Sequence, residues 1–457
     1  MDQLIVREAT KGDAPAVRAV RATAEGGDGY DLPTLIATGA DGAVRGALAY
    51  RIAGDGLEVV SISAAEPGGG VRTRLLDAAT DLARERGLPR LWLATQGRRA
   101  GGRNAYVDFL RAASLIVVVL WHWAFTLLTW GPDGPHATSP LGFVRGFWLV
   151  TWLFQVMPLF FYIGGYVHLR SWERAHARGV PLGGFVWRRV RQLAVPAAVL
   201  LAVWAAVGAF AAWYFDWAGM GRTVKLIVSP LWFLAVYLML IALLPAALWL
   251  HRRYGLLVLV WLGGGAMLVD LLRFRYGAGW VGWVNMVLVW GLAHQAGFFY
   301  DRVVSAARRT DWALLWTGLF GLCGLVFSGL YPGSMVGVPG ERFSNMAPPT
   351  FVIVSLLLFQ IGVVEVLRPT MERVLTGRRW RAANQAVNRY ALPLFLFHGT
   401  GMAVALFAAW RLFGYQLPAH SVPDFTWWLW RPLAVLGPLV CTLPFLFLFA
   451  RRPPSRP

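Results

Sequence analysis

From about residue 105 onward the chain is a series of long apolar stretches separated by short polar connections. Ten stretches stand near 109–130, 146–168, 193–214, 230–250, 255–272, 281–300, 312–331, 350–367, 390–411 and 428–450. Each is long enough to cross the roughly 30 Å hydrocarbon core of a bilayer as a helix. In lipid every backbone N–H and C=O must find its partner inside the structure, so apolar segments of this length have little choice but to be helical. The expected fold class is a polytopic α-helical membrane protein of about ten transmembrane helices, with a small α/β domain ahead of them. A chain 57% hydrophobic with 24 Trp residues has the composition such a fold requires.

Charge divides the chain at the same place. Residues 1–100 carry 13 Lys/Arg and 13 Asp/Glu, so the whole net charge of +19 belongs to residues 101–457. There the cations follow the even-numbered spans. They are Arg170, Arg174, Arg178, Arg188, Arg189 and Arg191; Arg252 and Arg253; Arg302, Arg308 and Arg309; and a run from Arg368 to Arg389. The opposite connections hold scattered ones such as Arg145, Arg222, Lys225 and Arg342. By the positive-inside rule both termini are expected in the cytoplasm of a plasma (inner) membrane. The excess suits loops facing anionic lipid, not a nucleic-acid partner. Cys323 and Cys441 sit in apolar runs, without disulfide or zinc spacing. The opening MDQLIVREATKGD does not read as a signal peptide.

The division predicts an α/β domain over 1–96, a basic Gly-rich linker at 97–104, a membrane domain over 105–450 and a tail at 451–457. Within the first, strands are expected at 3–8, 46–52, 56–63 and 91–95, with helices at 13–23 and 71–85. The order strand, Gly68-Gly69-Gly70, helix, strand resembles the core of the GNAT N-acetyltransferases. That resemblance implies a glycine loop and helix N-terminus facing the pyrophosphate of acetyl-CoA. The motif departs from the family at Pro67 and Arg72, and the strands that finish the GNAT fold have no room before the membrane sequence. A truncated, degenerate or regulatory GNAT-like domain is the expectation.

In the first span, FLRAASLIVVVLWHWAFTLLTW, two residues do not belong in lipid. Arg111 and His122 are 11 positions apart, which puts them on one helix face about 16 Å apart along the axis. An ionisable group near mid-membrane is a functional candidate by default, and imidazole is the side chain suited to proton transfer near neutral pH. Trp121 and Trp123 flank His122 and are expected to point away from its face. His294 near a helix end, Glu365 with Arg368, and Asp270 with Arg273 read as helix-surface features or ion pairs.

Together with Arg111 and His122, four more stretches resemble the acyltransferase-3 family of membrane O-acyltransferases. They are MPLFFYIGGYVHLR (157–170), FVWRRVRQLAVP (185–196), PLWFLAVYL (230–238) and NRYALPLFLFH (388–398). Where the family usually has Ser-Gly, this chain has Gly164-Gly165. The resemblance implies an enzyme moving an acyl group, acetyl above all, from acyl-CoA to a hydroxyl of a glycan, glycolipid or metabolite. It implies His122 as base or acyl carrier, and Arg111, Arg188 and Arg191 as contacts for acyl-CoA phosphates. Acyl-CoA would be a co-substrate, with no resident cofactor or metal. His398 is a candidate second polar group, and Trp232, Glu341 and Asn345 are candidate acceptor contacts. Arg189 reads as an ordinary positive-inside residue. Two rivals remain at this point: a transporter or flippase, and a catalytic α/β domain on a membrane anchor.

Overall fold

The computed structural model describes residues 4–22, 32–53, 56–65, 70–88, 90–93, 104–215, 219–338, 341 and 343–449. Gly68, Gly69, Arg342, most of the expected linker and the C-terminal tail therefore lie outside the described residues. The chain divides into two compact units, Met1–Asn104 and Ala105–Pro457.

The first unit runs β1 (Ile5–Glu8), α1 (Ala14–Ala22), β2 (Thr34–Thr38), β3 (Val44–Ala53), β4 (Gly56–Ala64), α2 (Val71–Glu85) and β5 (Arg90–Leu93). The strands form one sheet in the order β1-β2-β3-β4-β5. Pairing is antiparallel as far as β4 and parallel between β4 and β5. A parallel step needs a crossover, and α2 supplies it. Val71, Leu75, Ala79 and Ala83 recur every four residues and are the buried stripe of α2. Gly46 makes room for that stripe, because a Cβ there would run into the Val71 side chain. Strand β2, TLIAT, is absent from the sequence reading. Four of its five residues are buried, so it shows none of the alternation that marks a half-exposed strand.

The second unit begins with α3 (Ala105–Phe125), a hairpin of β6 (Leu127–Gly131) and β7 (Gly134–Thr138), and a broken helix, α4 (Val150–Phe154) and α5 (Met157–His176). Then come α6 (Leu182–Phe215), α7 (Met220–Val228), α8 (Trp232–Ala242), α9 (Leu244–Tyr254) and α10 (Leu257–Arg275). They are followed by α11 (Asn285–Gly297), the short α12 (Tyr300–Val304) and α13 (Arg308–Phe327). Beyond a long loop lie α14 (Val352–Thr376), α15 (Arg378–Phe413), the short α16 (Phe425–Leu429) and α17 (Arg431–Phe449).

Among the described residues nine helical segments are long and apolar enough to cross a membrane. Two expectations change. The first span stops at Phe125 and not near residue 130, because Gly131-Pro132-Asp133-Gly134 turns the chain into the β6–β7 hairpin. Arg222 pairs with Asp133 there, and the Trp130 N–H bonds the Pro418 carbonyl at 2.9 Å. The stretch expected to be a span at 281–300 instead splits into a 3-10 segment, Gly279–Val284, and the 13-residue α11. Thirteen residues give about 20 Å of α-helix, short of a bilayer core without the 3-10 turn ahead of it.

Helices approach closely where glycines face backbone. Gly165 of α5 lies against the His294 carbonyl of α11, and Gly297 returns the contact against the Tyr162 carbonyl. Gly318 of α13 and Gly362 of α14 do the same at Phe359 and Leu315. Small residues at such crossings let dispersion contacts act over a long interface in lipid. Buried polar groups are satisfied in the same interior. Glu365 and Arg368 form a bidentate pair at 2.7 Å, and Arg368 also donates to Tyr300 at 2.9 Å. Both are buried, so this is an interior clamp and not the surface pair the spacing suggested. Asp270 is also buried and takes bonds from Asn285 (2.9 Å), Tyr331 (3.0 Å) and the Phe351 N–H (2.6 Å), with no bond from Arg273.

Candidate active site

His122 sits in the last turn of α3, on the wall of a cavity of about 430 Å³. The cavity opens among the hairpin, the α4–α5 break, the start of α8 and the loop before α14. Its polar lining comes from Thr126, Thr138, Ser139, Thr151, Gln155 and Ser229. Trp121, Phe125, Phe154, Trp232 and Phe233 supply aromatic walls. Among the described residues no Asp, Glu, Lys or Arg lines it, and His122 is the one ionisable side chain below the alkaline range.

The break that brings Gln155 to the wall has a local cause. Pro158 falls at the start of α5, where its missing N–H is harmless, and it cannot continue the helix from α4. The Gln155 carbonyl, freed by the break, accepts the Gln360 Nε2 at 2.8 Å. Thr151 donates to the Trp148 carbonyl at 2.5 Å and accepts the Met335 N–H at 2.9 Å, which ties the long loop to the same wall.

Behind His122 stands His398 of α15, with ring centroids 5.1 Å apart. His398 Nδ1 lies 2.5 Å from the Phe395 carbonyl. A carbonyl can only accept, so Nδ1 carries the proton and the neutral ring presents Nε2 as an acceptor. That Nε2 is buried without a partner. The Nδ1 of His122 is likewise buried and makes no hydrogen bond of good geometry, although the Val118 carbonyl lies beside it one turn back. Trp123 donates its indole N–H to the His398 carbonyl at 3.1 Å and so joins α3 to α15 at this level. Trp121, expected to face away, lines the cavity and stacks with Phe147.

Phe160, Phe161, Phe233 and Phe395 contact one another edge to face or tilted, and Phe233 and Phe395 also line the cavity. One turn beyond Phe233, Tyr237 packs on His168, ring centroids 5.1 Å apart. His168 Nδ1 meets His294 Nε2 at 3.0 Å, so His294 belongs to a buried imidazole pair and to no surface ion pair. Arg111 and Arg189 both lie within electrostatic range of Tyr237. Arg111 donates to Asn388 Oδ1 of α15 at 2.8 Å and to Asp108 at 3.3 Å.

The other expected residues fall in different places. Arg188 and Arg191 are exposed on α6 and line a separate shallow recess of about 530 Å³. Their neighbour Arg189 is the half-buried one of the three, with its guanidinium over the Phe185 ring at 5.4 Å from the centroid. The three share one helical turn, and which face is inside depends on how α6 is rotated in the bundle. Trp232 does line the His122 cavity. Asn345 does not, because it is fully buried and braces its own loop. It donates to the Pro332 (2.7 Å) and Ser334 (2.9 Å) carbonyls and accepts from Thr350 (2.9 Å). Glu341 is exposed and outside the cavity, while Val336, Gly337 and Met346 carry this loop's share of the lining. Gly70 precedes α2 in a left-handed conformation, φ 69°, which a glycine adopts without penalty. Among the described residues no three His, Cys, Asp or Glu side chains stand together as a metal site.

A family model described as an acyltransferase domain matches residues 104–448. The chain belongs to the acyltransferase-3 family. The match begins one residue before α3 and takes in the candidate membrane spans to within one residue of the end of the last, so the second unit is the acyltransferase domain. The protein is thus an integral membrane acyltransferase, moving groups other than aminoacyl. No curated protein and no solved structure matches the chain significantly.

Proposed function

We propose that this acyltransferase moves an acyl group, acetyl above all, from acyl-CoA to a neutral hydroxyl-bearing acceptor, a sugar or similar polyol, with His122 as the base. The observation that carries the reading is the position of His122. It stands as an ionisable group on the wall of a cavity whose other described lining residues are uncharged and present hydroxyls, an amide and aromatic rings. Such a lining suits a neutral sugar, whose hydroxyls need hydrogen-bond partners and whose C–H faces stack on aromatic rings. Among its described residues it offers no counter-ion to a charged acceptor.

In this mechanism the neutral His122 ring takes the acceptor's hydroxyl proton as its oxygen attacks the thioester carbonyl. The carbon–sulfur bond then breaks, and the imidazolium returns the proton to the departing thiolate. His398, its tautomer fixed by Phe395, can receive a hydrogen bond from the charged ring and steady it. The donor's phosphates are assigned to the end of α3 that carries Arg111, with Arg189, which like Arg111 is within electrostatic range of Tyr237, as a second contact, since guanidinium forks match phosphate oxygens. By the positive-inside rule that end is the cytoplasmic one, where acyl-CoA is made, and the membrane is the plasma (inner) membrane. The sheet order and the Gly70 turn before α2 support a GNAT-like reading of the first unit. Its role is taken to be regulatory, not catalytic.

The test is transfer from labelled acetyl-CoA in membrane vesicles with the arginine-rich face exposed. His122→Ala is expected to lower turnover about 10²–10⁴-fold at unchanged expression. His398→Ala is expected to lower it less and to shift the pH profile of kcat. Wild-type turnover in His122→Ala would exclude His122 as the base.

A further inference from the structure

A second recess lies well away from His122. Trp172 on α5, Leu182 at the start of α6, and Pro245, Trp249, Arg252 and Arg253 on α9 line a space of about 370 Å³. Met157 of the same helix α5 lines the His122 cavity, and Trp172 is 15 residues further along, about 22 Å of helix. The two sites are therefore distinct.

Three features of the recess ask for a ligand. Trp172 is only 4% exposed, and its buried indole N–H has no acceptor. A buried donor with no partner is destabilising, and an occupant with an acceptor oxygen would relieve it. Arg252 and Arg253 are exposed, and neither is paired with a carboxylate among the described residues. Glu173, the carboxylate next to Trp172 in sequence, is held by Arg170 at 2.8 Å. The remaining walls, Leu182, Pro245 and Trp249, are apolar, and Trp249 is 60% exposed toward the surroundings of the bundle.

We propose that this recess binds one anionic phospholipid. Its phosphate would sit on Arg252 and Arg253 with the Trp172 indole N–H, and its first acyl carbons would lie over Pro245 and Trp249. The occupant follows from the setting. The unit is a membrane domain, so phospholipid is the phosphate at highest local concentration. Two guanidinium groups without a compensating carboxylate favour net negative charge over a zwitterionic headgroup. The lipid would bridge the α5–α6 turn to α9. It would cover the small satellite core in which Trp172 and Phe185 meet Leu244 and Leu248.

The experiment is native mass spectrometry of the full chain in detergent, titrated with phosphatidylglycerol or phosphatidylcholine. Four proteins are compared: wild type, R252Q/R253Q, W172F and, as a control, R308Q/R309Q. The wild type is expected to retain one phosphatidylglycerol, with phosphatidylcholine about tenfold weaker. R252Q/R253Q should weaken phosphatidylglycerol about tenfold or more and W172F several-fold, while R308Q/R309Q leaves it unchanged. Equal retention of the two lipids would overturn the proposal. So would an equal loss in R308Q/R309Q, which would mark non-specific charge, or displacement by free CoA, which would give the recess to the acyl donor. The exposed arginine pair decides the matter even if W172F misfolds.

Discussion

Arg188, Arg189 and Arg191 are chemically alike, and burial separates them. Arg188 and Arg191 are exposed on α6, whereas Arg189 is half-buried over the Phe185 ring and within electrostatic range of Tyr237 and His168. Arg189→Gln is therefore expected to raise the KM for acyl-CoA about 10–100-fold, the worth of one or two charge-assisted hydrogen bonds. Arg188→Gln and Arg191→Gln should change it by less than about threefold, since exposed charges contribute little. Steady-state kinetics against acyl-CoA reads the difference, and the opposite ranking would return the donor site to the outer pair. The same logic explains Asn345. An uncharged polar residue in a Pro/Gly-rich loop looks like a ligand contact, but here its amide goes to holding the loop in shape. Gln155 went unnoticed for the converse reason. It is one polar residue in an apolar run, and only the helix break turns it into the cavity.

At the scale of elements, the α5–α11 crossing carries the His168–His294 pair because Gly165 and Gly297 let the two backbones touch. A methyl at Gly165 would run into the His294 carbonyl and crowd the Gly297 Cα, both of them backbone. Gly165→Ala should destabilise the membrane unit by about 1–3 kcal/mol, the usual cost of overpacking a filled interior. Thermal unfolding in detergent would show it, and an unchanged midpoint would mean that the crossing can open without loss. In the first unit the sheet is tied to α2's end through Tyr50, which donates to Glu8 at 2.6 Å while Arg86 reaches Glu8 at 3.2 Å. Burial first, then the Glu8 carboxylate, pushes the Tyr50 phenol up to about 12. An acid with a raised folded pKa stabilises while it is protonated. Its contribution is whole below pH 10 and fades as pH climbs from 10 to 12, where the unfolded chain has already lost the proton. Tyr50→Phe should flatten that part of the stability–pH curve for the first unit, and a curve of unchanged slope would assign the loss to other groups.

At the scale of the molecule, the chain has two compact units. The family match covers the second and leaves the first outside. A chain lacking residues 1–104 is expected to keep transfer activity within about threefold of the full protein, since no step of the proposed proton transfer leaves the membrane unit. Loss of more than about a hundredfold, with the truncated chain still inserted and folded, would make the first unit part of the catalyst. Broken elements mark the function at this scale too. The α4–α5 break and the hairpin after α3 both shape the His122 cavity.

Hydrophobic length and arginine placement are properties of the chain itself. From them the membrane class and most of the spans were readable, because a bilayer imposes one length scale on every segment. His122 and Arg111 were readable for the same reason, since an ionisable group in an apolar run stands out wherever the helix lies. Rotation and neighbours could not be read. Whether Arg189 or Arg188 faces inward, whether Glu365 and Arg368 are buried, and whether His398 comes to within 5.1 Å of His122 depend on contacts between helices hundreds of residues apart. In lipid the outer face of a helix is as apolar as its inner face, so the pattern along the sequence carries little record of which side packs. The sequence determined which segments are long and apolar enough to enter the membrane and which ionisable residues stand among them, and the packing of the helices alone decided which of them meet.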